Sequence, residues 1–153
     1  AGCDLAGSNA ERIACESRTG NSMTARVNGG AICTDLGTAL LFNDGTASRL
    51  SVSGLFFTST PVSSISFSVP NPAEGTFDLT DVAYGTEDES VDFFVDERDG
   101  SGSVTITSFT DTRVQGAFAF DAVGFDVESG APTGTRARAA DGTFDFALFS
   151  PEM

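Results

Sequence analysis

The chain is 153 residues long, carries a formal net charge of −14 and has no histidine, tryptophan or lysine, so its eight basic residues are all arginine. This length suits one domain with a real core. The composition excludes a Ser-His-Asp triad, an imidazole metal site, a lysine Schiff base and a phosphate-loop lysine, and the acidic balance opposes a nucleic-acid partner.

Residues 1–21 read as an irregular N-terminal tail of small and polar residues, with one or two marginal helical turns around residues 10–16. The three cysteines, Cys3, Cys15 and Cys33, are an odd number. Ala1-Gly2-Cys3 resembles the end of a bacterial lipobox, so Cys3 is a candidate for a lipid or for a disulfide to a neighbouring subunit. Cys15 and Cys33 are then left to pair, and that disulfide would tie the tail to the first strands of an exported protein.

From Ser22 the pattern changes to period two, which predicts a single β-domain over residues 22–153. Met23, Ala25 and Val27 alternate with Thr24 and Arg26, and Asn28-Gly29-Gly30 supplies a hairpin turn with positive φ. Strands follow over 31–34, 39–42 and 49–57. The clearest is 62–69, with Ile65, Phe67 and Val69 on one face and Ser64, Ser66 and Ser68 on the other; Pro70-Asn71-Pro72 ends it. Further strands are predicted over 75–80, 82–84, 91–95, 103–109, 114–123, 135–139 and 143–149. About ten short strands with turn punctuation imply an antiparallel β-sandwich or flattened barrel.

A short pattern recurs at Gly75-Thr76-Phe77, Gly116-Ala117-Phe118 and Gly142-Thr143-Phe144. It reads as a common way of entering a strand, with glycine turning the backbone and the aromatics pointing to the core. The 14 Phe against one Tyr are core fillers without a polar handle. Two doublets, Phe56-Phe57 and Phe93-Phe94, break the alternation. If Val91, Phe93 and Val95 point inward, Phe94 points out between Asp92 and Asp96.

Carboxylates are the abundant reactive groups, with ten between Glu74 and Asp99. Nothing selects a catalytic pair among them, so no enzymatic activity is expected. Asp88, Asp92, Asp96 and Asp99 are candidate hard-oxygen ligands for calcium, the one cofactor the composition favours; solvated hairpin tips explain the same charges. Outward positions Ser51, Ser53, Ser64, Ser66, Ser68, Thr105 and Thr107 form an uncharged hydroxyl set. If they share a sheet, that face, with Phe94, can contact another copy of the chain or a surface component.

Segments 23–29, 102–107, 114–120 and 141–146, together with the lipobox-like Cys3, resemble a family of small lipoproteins of unknown function from Bacteroidota. The resemblance implies an exported all-β domain on the envelope surface, with no catalytic residues to transfer. The sequence thus leads to a non-enzymatic protein of the bacterial cell surface or extracellular space, acting in assembly or adhesion, with a self-assembling filament subunit as the sharper form of that expectation. The alternative is a lipid-anchored module that binds a small ligand or calcium. Membrane contact is expected only through a lipid on Cys3.

Overall fold

The computed structural model describes residues 20–43, 47–56, 62–86, 91–96 and 100–149. The helical turn expected around residues 10–16 lies outside them, as do Cys3, Cys15, Asp88 and Asp99. Eleven strands follow one another: β1 (Ser22–Val27), β2 (Gly30–Thr34), β3 (Gly37–Asn43), β4 (Ser48–Phe56), β5 (Ser63–Pro70), β6 (Gly75–Asp78), β7 (Val82–Thr86), β8 (Val91–Val95), β9 (Ser101–Phe109), β10 (Arg113–Asp126) and β11 (Pro132–Phe149). No helix occurs among the described residues, so the described part of the chain is all-β, as its alternating pattern predicts.

Local chemistry explains the first hairpin. Asn28 (φ 50°) and Gly29 (φ 87°) hold the two left-handed positions of a tight turn. The Asn28 side chain also ties this turn to β11: its Oδ1 accepts from Arg138 N at 2.9 Å and its Nδ2 donates to Arg136 O at 3.4 Å. In β5 the predicted alternation is realised, with Ile65, Phe67 and Val69 buried and Ser64 and Pro70 exposed.

Strand pairing closes on itself. β11, β3, β4, β5, β7, β8 and β10 are successive neighbours, and β10 pairs again with β11. The ring is flattened into two layers. One contains β3-β4-β5-β7-β8, and the other runs β2-β1-β11-β10-β9-β6. Two long strands join them. β10 pairs with β9 through its first part and with β8 over Val123–Asp126, whereas β11 lies beside β1 and β10 before its last two residues run parallel to β3. Closure leaves the smaller layer without a free edge, which removes the usual site of unwanted strand addition.

β11 corrects the sequence reading of two strands over 135–139 and 143–149. It is one strand of 18 residues carrying an extra residue near Asp141, whose φ is 53°. The bulge appears against both neighbours: Thr24 and Arg26 face Thr143 and Ala140, and Phe118 and Phe120 face Gly142 and Ala139. The inserted residue shifts the two-residue period by one, so Ala137 and Ala139 point inward before it and Phe144 and Phe146 after it. A break in phase looks like a break in the strand.

Of the recurring glycines, Gly75 opens β6 with φ 139°, as expected of strand entry, whereas Gly116 and Gly142 lie inside β10 and β11 and have a different role. Gly116 lies opposite Phe144, and Gly142 opposite Phe118. A Cβ on Gly116 would sit 2.8 Å from the Phe144 ring and 2.4 Å from Thr105 O; one on Gly142 would sit 2.6 Å from the Phe118 ring and backbone O. Each glycine is the space that the other strand's aromatic ring fills. Phe67 of β5 meets these rings from the opposite layer, with centroids 5.2 Å from Phe118 and 5.6 Å from Phe144. With Phe56, Phe120, Phe146, Met23, Leu50 and Ile65 they form one continuous core. Burying each such side chain contributes about 1.5–3 kcal/mol.

Candidate functional site

The two layers present different outer surfaces. On the six-stranded layer each described arginine is paired with a carboxylate. Arg113 Nε lies 2.5 Å from Asp145 Oδ1, and Gln115 Nε2 donates to the other oxygen at 3.1 Å. Arg113 also donates through Nη2 to Gly20 O. Arg26 Nε is 3.6 Å from Asp141 Oδ2. Asp121 receives two guanidinium groups, Arg136 Nε at 2.8 Å and Arg138 Nε at 3.1 Å.

The five-stranded layer presents mainly hydroxyl and apolar groups. Cross-strand partners run Thr38, Ser53, Ser66, Ala83 and Phe94, and the row continues over β10 and β11 to Val123 and Arg136. A second row contains Leu55, Ser64, Gly85, Asp92 and Phe125. The third places Ser51 beside Ser68 and Leu40, with Phe149 next to Leu40. Leu55 and Phe94 are each 38% exposed, and Phe42 and Phe149 are exposed on the same side. Its described basic residue within β3 to β8 is Arg49, whose Nη1 lies 3.6 Å from Asp81 and 3.1 Å from Ser68 Oγ; Ser68 Oγ in turn donates to Asp81 at 2.7 Å.

The predicted contact residues Ser64, Ser66, Ser68 and Phe94 therefore share one face, together with Ser51 and Ser53. Thr105 and Thr107 do not join them. They stand on β9 in the other layer, where Thr105 Oγ1 meets Thr76 Oγ1 at 3.0 Å and Thr107 donates to Gln115 O. The Phe93-Phe94 doublet resolves as alternation predicts: Phe93 is buried and Phe94 points out, its ring 6.1 Å from that of Phe125.

Of the calcium candidates, Asp92 is on the outer row of β8 and Asp96 follows that strand's end. Asp88 and Asp99 lie outside the described residues, and among the described residues no three acidic, histidine or cysteine side chains converge on a metal position. An open cleft of about 320 Å³ borders Asp92, lined also by Leu55, Ser63, Ser64 and Thr86; Thr86 Oγ1 is buried there and has no hydrogen-bond partner among the described residues.

Cys33 is 4% exposed on β2. Among the described residues no cysteine is free. Its rung partner is Thr24, whose Oγ1 meets Thr143 Oγ1 on the outer side of the layer.

Sequence reasoning passed over Leu55, Val123, Phe125 and the pair Arg136 and Arg138. A signal for the arginines was present, since Arg136-Ala137-Arg138-Ala139 is a strict alternation that sends both guanidinium groups to one face. No family model, characterised protein or solved structure in the comparisons matches this chain.

Proposed function

We propose that this chain is a non-enzymatic protein of the bacterial cell surface or extracellular space that acts in assembly or adhesion. The contact surface in this reading is the outer face of the five-stranded layer. The observation that carries it is that face's rows of serine and threonine with exposed Leu55 and Phe94, on a chain whose net charge is −14. Like-charged copies repel over most of such a surface, and the repulsion is least where a hydroxyl and apolar face is turned toward the neighbour. Apolar side chains grouped on one face mark contact sites more often than scattered ones. Export agrees with the lipobox-like Cys3 and with a disulfide from Cys33 to Cys15, which would hold the tail against β2.

Light scattering over a concentration series under non-reducing conditions tests the reading. The expected result is a species heavier than the 15.8 kDa chain that disappears when Ser53→Glu and Ser66→Glu are introduced together. A monomer at every concentration contradicts assembly. The competing reading, a lipid-anchored module for a small ligand or calcium, is favoured by the cleft beside Asp92 and Thr86. Calorimetric titration with calcium decides it: heat and a raised melting temperature at millimolar calcium support that reading, and their absence removes the metal.

A further inference from the structure

At the corner where β8, β10 and β11 lie side by side, three chemically different columns follow one another. β8 contributes Asp92 on its outer side, with Asp96 just beyond its end. β10 contributes Val123 and Phe125, which stand opposite Phe94 and Asp92 respectively, with Phe94 and Phe125 in ring contact at 6.1 Å. β11 contributes Arg136 and Arg138. Both guanidinium groups share the one Asp121 carboxylate, and they remain 47% and 73% exposed. Across the patch β8 thus carries Asp92 and Asp96 on either side of Phe94, β10 carries Asp121, Val123 and Phe125, and β11 carries the two arginines, with the outer strands two spacings, or about 10 Å, apart.

The geometry points to a second copy of this chain as the partner, docked through this patch about a two-fold axis. A two-fold lying in the contact plane, parallel to the strands and over β10, places the arginine column of each copy over the β8 column of the other, with its Asp92 and Asp96. It also brings the aromatic pairs together at the centre. This is the form that a two-fold interface requires, one patch complementary to itself, with aromatic anchors inside a charged rim. Two cations against one carboxylate at Asp121 leave a local positive excess on a strongly acidic chain. Another copy supplies the carboxylates that balance it, and complementary rims fix register and suppress wrong partners.

This inference rests on the assembly reading and narrows it to one patch and one symmetry. Its test is a pair of charge exchanges, Arg136→Asp with Arg138→Asp in one variant and Asp92→Arg with Asp96→Arg in the other. Sedimentation equilibrium is run on the full chain, and thermal melts check that each variant is folded. The expected wild-type species has twice the chain mass. Each variant alone should self-associate at least about tenfold more weakly, and an equimolar mixture should recover the dimer, because acid columns then face base columns on both sides. A wild type that associates, loses association on Ser53→Glu with Ser66→Glu and ignores both exchanges overturns the two-fold patch while leaving the assembly reading intact. A monomeric wild type overturns both. If a variant fails to fold, the single exchanges Arg138→Asp and Asp92→Arg replace it, and an unchanged dimer in both overturns the patch.

Discussion

The two layers of this sandwich solve the problem of an acidic surface in opposite ways. On the six-stranded layer four of the five described arginines neutralise carboxylates on their own face, at Asp121, Asp141 and Asp145. On the five-stranded layer charge is largely left out, and serine, threonine, Leu55 and Phe94 occupy the rows. Both devices reduce local repulsion, but they have different consequences. The one-to-one pairs Arg26–Asp141 and Arg113–Asp145 are already satisfied within the molecule, whereas hydroxyl and apolar groups keep their capacity for contact. The interior beneath both layers is the same, because Phe67, Phe118 and Phe144 belong to one cluster that spans them. The layers differ in their outer faces and share their stability.

That distinction can be broken at several points. The largest effect is expected from the shared core. Phe67→Ala removes the ring that bridges the layers and should cost about 3–5 kcal/mol, read as a lower urea midpoint. Gly142→Ala comes next. Its Cβ would stand 2.6 Å from the Phe118 backbone O, so the strand must shift, at about 1–3 kcal/mol; unfolding curves would show this without a change in the association state. Arg113→Ala loses a half-exposed ion pair on the six-stranded face and should cost only about 0.2–1 kcal/mol. A stability change of no more than about 0.5 kcal/mol is expected for Phe94→Ser at its exposed position, although the same variant should weaken association. A Phe94→Ser protein that melts normally and still associates as the wild type does would remove the functional difference between the layers.

Much of the architecture was legible because alternation is local. The β5 pattern of Ile65, Phe67 and Val69 against Ser64, Ser66 and Ser68 needs no partner strand to be read, and the same holds for the outward turn of Phe94. Where pairing decides, the sequence is silent. The reciprocal fit of Gly116 with Phe144 and of Gly142 with Phe118 depends on two strands meeting in one register, which no local pattern encodes. Thr105 and Thr107 resemble Ser64 and Ser66 in sequence, yet pairing assigns β9 to the other layer. The phase shift at Asp141 disguised one long strand as two. Arg136 and Arg138 announced a shared face by their spacing, but their common partner Asp121 and their nearness to Phe94 depend on β10 lying between β8 and β11.

The central claim is that the face of the five-stranded layer, with the adjoining corner that carries Arg136 and Arg138, is the contact surface and that the ion-paired face around Arg26 and Arg113 is not. Hydroxyl-radical footprinting of the full chain, compared between dilute and concentrated samples, reads individual side chains on both. The account predicts that Phe94 and Leu55 lose reactivity as concentration rises while Arg26 and Thr143 keep theirs. Protection confined to Arg26 and Thr143, or no protection at concentrations where the chain associates, would contradict it.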